Sequence, residues 1–320
     1  MKPLPVPWEW DVKLLATSFV LASRSNRLSE VDARDAALAC VRSYREHMAE
    51  FSRMPALEVW YASLDVEDVL PQIKEPETHK RFRKRLADAR KRGVAEHDFP
   101  KLADTTSESV TIKDNPPLIY HWRELREEDY VPAIRKAFVR YRDSLPEERR
   151  MLLDRFQIKD MAVKVVGVGS VGTFCGIVLL MAADEDPLFL QIKEANASVL
   201  EHYAGKSVYR NHGERVVRGC LLMQSASDVF LGWTAGKLGR QFYVRQLRDV
   251  KIKILVELFG STDMIQYASL CGFTLARAHA RSGDSALISG YLGQSDSFDK
   301  AVAAFSVAYA DQREKNMQFS

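Results

Sequence analysis

Cysteine is scarce in this chain, and the four present are far apart. Cys40, Cys175, Cys220 and Cys271 make no CxxC pair and no ligand framework, so no structural metal is expected and a reducing cytoplasm is the expected compartment. Taken singly, each is a small apolar side chain suited to burial. Long apolar runs are missing too. The longest, Gly176 to Ala183, is far short of a bilayer span, so no membrane partner is expected. Glu9, Asp11 and Lys13 interrupt any apolar region near Met1, which argues against a signal peptide. Neither sign of charge dominates: a net charge of +3 is too small to call for a nucleic-acid partner. Internal repeats and low-complexity linkers are also lacking.

What is present suffices for a sizeable core: 320 residues of ordinary apolar content can build one large domain or two lobes. Apolar spacing predicts helices over Trp8–Ser23, Glu30–Met54, Thr78–Arg92, Asp129–Ser144 and Pro146–Phe156. Asp98 to Pro117 is punctuated by proline and has no clear period. From Ile158 to Leu200 the pattern turns β-like, then predicts a helix over His212–Ser227 and a strand over Gln241–Leu247. Helices over Ser261–Ser282 and Ser297–Lys315 close the chain. The expected organisation is a helical lobe at 1–157, a β-rich lobe at 158–250, and C-terminal helices at 251–320 packing on the helical lobe.

One stretch carries chemistry. From Val163 to Ala195 the chain reads VKVVGVGSVGTFCGIVLLMAADEDPLFLQIKEA. Gly167, Gly169 and Gly172 stand between two β-like runs, with Ser170 at the tip, and a third run leads to Lys193. Glycines so spaced let the backbone turn tightly and present amide groups to a phosphate. The spacing also fits a dinucleotide fingerprint, but that site needs a helix after its last glycine. Here Thr173 to Leu180 is β-branched and aromatic and runs into the acidic turn Asp184–Pro187, which predicts a strand and a hairpin. Strand, glycine turn, strand, strand and lysine is the order in which protein-kinase-like folds cover and grip ATP. A hairpin whose glycines serve only the turn is the plainer alternative.

Alternation puts Leu188, Leu190 and Ile192 on one strand face and Phe189, Gln191 and Lys193 on the other. From there Lys193 can reach nucleotide phosphates, although a solvated edge lysine fits the same pattern. A kinase lysine needs a carboxylate from the next helix. Glu194 falls on the opposite strand face, which leaves Glu201 and Glu214. Arg245 and Asp249, on and just beyond the strand Gln241–Leu247, are further candidates. His279 and Asp284, in TLARAHARSGD, suggest a dyad or metal site, but Leu275, Ala276 and Ala280 mark a packed helix where a lone histidine is more often structural. Lys80 to Arg92 holds eight basic residues against one acid, Asp88. It reads as a solvated helix face, with Phe82, Leu86 and Ala89 turned inward, rather than a nucleic-acid surface.

The strings VVGVGSVGT, LQIKEA, RVV, LMQSASD, FLGWT, FYVRQLRD and LARAHARSGD resemble the bacterial family known as domain of unknown function 2252, over about Trp8 to Asp311. That family in turn resembles kinase-like phosphotransferases of the aminoglycoside and choline kinase type in rotated order. A GDxHxxNFG segment comes first, an acidic NDFDE segment second, and the glycine loop and lysine later. By this resemblance Pro7 to Asp11 matches the stretch after the acidic segment, and neither GDxH nor NDFDE occurs in these residues. Family members also carry an acid where this chain has Arg218. The resemblance carries over Gly167, Gly169, Gly172 and Lys193, and gives the catalytic base and the magnesium ligands no counterpart.

The expectation is therefore an α+β, protein-kinase-like fold in permuted order, with a β-rich nucleotide lobe inserted between helical segments. The expected function is nucleotide binding by an N-terminally shortened, weak or inactive phosphotransferase. ATP with magnesium is the expected cofactor, and a small molecule or protein the substrate. The alternative is a non-catalytic interaction module that keeps only the fold.

Overall fold

A computed structural model describes residues 6–91, 99–105, 109–121, 127–165, 172–183, 186–247 and 254–318. Two long helices open the chain, α1 (Trp8–Ser25) and α2 (Glu30–Phe51). Ser29 starts α2 with a reciprocal cap: its hydroxyl accepts from the Asp32 N–H, and the Asp32 carboxylate accepts from the Ser29 N–H. Short helices α3 (Ala56–Tyr61) and α4 (Val66–Val69) lead to the basic α5 (Pro76–Lys91) and then to α6 (Phe99–Leu102). The proline-punctuated stretch that shows no period contains β1 (Ala103–Thr105), antiparallel to β2 (Val110–Ile112), and is followed by β3 (Ile119–Tyr120).

Helices α7 (Glu127–Asp143) and α8 (Glu147–Leu153) precede β4 (Gln157–Lys164), β5 (Cys175–Met181) and β6 (Pro187–Glu194). After the short α9 (Glu201–Ala204) come α10 (His212–Met223), β7 (Gly232–Ala235) and β8 (Gln241–Gln246). The chain ends in α11 (Ser261–Ser282), α12 (Ser285–Leu292) and α13 (Ser297–Gln318). The fold is α+β. Its main sheet runs β3-β4-β5-β6-β8-β7, every neighbouring pair antiparallel. No helix begins at Gly172 or Thr173; the chain enters β5 at Cys175. The dinucleotide arrangement is thereby excluded, and β4, β5 and β6 form the three successive antiparallel strands that the sequence predicts.

Every residue of β5 is buried, because both faces of the sheet are covered. Ile177, Leu179, Met181 and Phe189 pack with Leu102 and Ile112 on one side. Val178, Leu180, Leu188 and Leu190 pack with Tyr141, Leu145, Leu153 and Phe230 on the other. Burial on two faces explains why β5 reads as an unbroken apolar run rather than an alternating one. It also explains the place of α7 and α8. The sequence groups them with the N-terminal helices, yet Tyr141, Leu145 and Leu153 belong to the core of the sheet.

The second body is a bundle of α1, α2, α11, α12 and α13. Its interior is lined with small residues, among them Ala16, Ala33, Ala37, Ala276, Ala303 and Ala310. Backbones come close enough that a side chain on Gly272 of α11 would overlap the Cys40 carbonyl of α2. Helix α10 spans the two bodies. At its start, a side chain on Gly213 would overlap the Phe242 carbonyl of β8. At its end, Arg277 and Arg281 of α11 donate to the carbonyls of Met223 and Gln224. Among the described residues no helix is long and apolar enough to cross a membrane.

Candidate functional site

Antiparallel register sets the geometry around Lys193. Directly paired residues share a sheet face. Cys175 of β5 pairs with Lys193 of β6, Lys193 with Tyr243 of β8, and Tyr243 with Trp233 of β7. These four side chains therefore form one row across the sheet. In the adjoining row Ile177 pairs with Gln191 and Gln191 with Arg245. The Arg245 guanidinium donates twice to Gln191 Oε1, at 3.3 and 3.2 Å, and Gln191 Nε2 lies 3.5 Å from Cys175 Sγ. Burial pushes the Cys175 thiol above its ordinary pKa, against the opposing pull of Lys193, Lys164 and Arg245. Three cations thus act on one point of the sheet face. Burial likewise raises the pKa of Cys220, on α10, and here too Arg245 pulls the other way.

Cys175, at one end of the row, follows Gly172 by three residues. Gly172 takes a left-handed backbone, φ 81°, that favours glycine, and its Cβ direction is open. Gly167, Gly169 and Ser170 lie outside the described residues, as does Asp249.

Two of the candidate carboxylates are engaged elsewhere, and the third, Glu201, has its Oε1 buried without a hydrogen-bond partner among the described residues. Glu194 accepts from Arg240, at 2.9 and 2.6 Å, and from the Phe174 N–H. The Arg240 bonds hold its carboxyl below the usual range. Glu201 has His212 as a neighbour at 4.0 Å. Glu214, in the first turn of α10, meets Arg218 Nε at 3.4 Å. The Arg218 guanidinium stacks over the ring of Trp233, 5.2 Å from its centroid. Helix α10, the second helix after Lys193, therefore sets an arginine against the end of the Lys193 row.

His279 and Asp284 do not act together. The His279 ring joins the Tyr44 hydroxyl, 2.9 Å away, to Asp11, 3.2 Å away, inside the bundle. Asp284 caps α12 by accepting from the Leu287 N–H. Among the described residues no group of three or more His, Cys, Asp or Glu side chains is arranged to hold a metal. The basic run lies in α5, with Leu86 buried and Phe82 half-buried.

Sequence reasoning missed Lys164, Tyr243 and Trp233 as parts of this face, and read Cys175 only as a packing residue. Alternation within QFYVRQ, which sets Tyr243 and Arg245 on one face, is the signal that could have found part of the row.

The sequence profile of a family described as an uncharacterized protein conserved in bacteria, DUF2252, matches residues 3–319. The chain belongs to that family. No curated protein and no solved structure matches it.

Proposed function

We propose that this family member binds nucleotide, ATP foremost, by gripping its phosphates at the Lys193 face in the manner of a kinase-like fold. One observation carries the reading. Lys193 is the direct cross-strand partner of Cys175, where the chain enters β5 from the glycine-rich segment. In kinase-like folds a glycine-rich loop covers the phosphates and a lysine on the third strand reaches them. The order β4, glycine-rich segment, β5, β6 with its lysine, then a helix, is the same here. Lys164 and Arg245 add positive charge around the same thiol.

The same face argues for binding more than for catalysis. Kinase activation sets a glutamate from a following helix against the lysine. Here the short α9 opens with Glu201, which lies close to His212. Helix α10 instead carries Arg218, stacked on Trp233 and paired with Glu214. An arginine here suits an anion. Magnesium takes oxygen ligands. Among the described residues the row itself offers ammonium, thiol, phenol and indole groups, a donor set that does not fit that ion. We therefore propose a nucleotide binder with weak or no phosphotransferase activity in these residues. Any such activity would act on a small molecule or a protein. The rival reading, an interaction module that keeps only the fold, requires no nucleotide.

Isothermal titration with ATP at low salt tests this. The expected Kd is on the order of 0.1–1 mM. Lys193→Ala is expected to weaken binding by roughly 1–3 kcal/mol, the loss of a charge-assisted contact. Binding unchanged by Lys193→Ala and by Gly169→Val would overturn the site, and no binding at millimolar ATP would favour the interaction module.

A further inference from the structure

A cavity sharing no residue with the Lys193 row and going beyond the nucleotide reading lies among α2, residues 64–74, α5, residues 254–259 and α11. Its volume is about 550 Å³, within the range of small-molecule sites. Its walls are mainly apolar and aromatic: Ile73, Phe82, Leu255, Phe259, Leu270 and Phe273. One buried charge lines it. Asp263, 6 % exposed, accepts a hydrogen bond at Oδ2 from the Thr78 hydroxyl, 2.6 Å away. Its other oxygen, Oδ1, is buried without a hydrogen-bond partner among the described residues.

Other polar groups of the lining are already satisfied. Ser43 donates to the Ser269 carbonyl, the His47 ring is 2.7 Å from the Ser43 carbonyl, and Gln266 donates to the Gln72 carbonyl. A buried acceptor left unpaired is costly, and a donor brought by a ligand removes that cost. The charge of Asp263 is partly answered already, because Arg81 donates to Thr78, the residue that donates to Asp263. Lys74, Arg81 and Arg85 also line the cavity, so a cationic ligand meets repulsion.

We propose that this cavity binds a neutral, largely apolar alcohol or phenol, whose hydroxyl donates to Asp263 Oδ1. The full chain is titrated with four matched probes: 4-butylphenol, butylbenzene, 4-butylbenzylammonium and 4-butylbenzoate. The phenol is expected to bind at least about ten-fold tighter than each of the others, consistent with one hydrogen bond to a charged group. Asp263→Ala is expected to bring the phenol down to the affinity of the hydrocarbon. Leu270→Trp, which fills the cavity from its apolar wall, is expected to abolish binding of both and serves should Asp263→Ala fail to fold. Equal binding of phenol and hydrocarbon, tightest binding of the ammonium or the benzoate, no binding of any probe, or phenol binding that survives Leu270→Trp would each overturn the proposal.

Discussion

In the helical bundle the interior holds titratable groups: Asp263, Arg277, His279 and Asp299 are all 6 % exposed or less. In the main sheet the buried polar side chains among the described residues are neutral, Gln191 and Thr234. The contrast follows from side-chain size. The sheet is filled by leucine, isoleucine, valine and phenylalanine, which bury much apolar area per residue. The bundle mixes larger residues such as Tyr44, Met48 and Met264 with many alanines, which bring helices close but bury little each. Paired polar groups then help decide how its helices meet. Arg45 of α2 grips Asp299 of α13 through Nε and Nη2, at 2.9 to 3.1 Å.

Breaking that pair should have the largest effect. Asp299→Ala leaves Arg45 largely buried, with Glu46 at 3.7 Å as its remaining acid, and is expected to cost about 3–4 kcal/mol in urea unfolding. A cost under about 1 kcal/mol would erase the contrast between the two bodies. A pair of glycines sharpens the role of close approach. Gly272→Ala, which overlaps the Cys40 carbonyl, is expected to cost roughly 1–3 kcal/mol. Gly290→Ala, on α12 with open space around it, is expected to be neutral or to stabilise by up to about 1 kcal/mol. Equal behaviour of the two would show that helix spacing does not limit the bundle.

The smallest effect belongs to the edge of the sheet, where His121 lies between Asp114, at 2.7 Å, and Asp160, at 3.0 Å. Burial lowers its pKa, but the bonds to Asp160 and Asp114 outweigh burial and raise it overall. A raised value means that the protonated ring is favoured in the folded state. Its contribution is fully present below histidine's ordinary pKa and is lost as pH rises through the higher folded value. Unfolding midpoints measured from about pH 5 to pH 8 should show this decline, and His121→Gln should remove it. A decline that persists in the variant would assign it to another group.

Much of this architecture was legible in residue spacing, and the exceptions share a cause. Helix α11 has the bounds that its apolar period predicts, and β4 to β6 follow from β-branched runs and turn residues. β7 escaped because GWTA is short and starts with glycine; its strand form comes from pairing with β8. The β1–β2 pair lay among prolines and polar residues with no period to read. Lys193 could be singled out from its own strand, but its neighbours could not. Tyr243 joins it because β6 pairs out of chain order with β8, and Trp233 follows through the β7–β8 hairpin. The cavity beside Asp263 gathers residues from three distant stretches, 43–47, 64–85 and 254–273, and no local pattern announces it.

Helix α10 works as a link rod with unequal fastenings. At its sheet end Gly213 lies against the Phe242 backbone and the His212 N–H donates to Gln241 Oε1; at its bundle end the hold is two side-chain bonds, from Arg277 and Arg281 to the last carbonyls. Bonds that long side chains make can be exchanged for water, whereas backbone contact cannot. Were the sheet to shift against the bundle, α10 would follow the sheet, and the bond of Arg281 would open before that of the buried Arg277. Arg281 also sits over the ring of Trp60, 4.1 Å from its centroid. The fluorescence of that indole is therefore the signal expected to change if the arginine lets go.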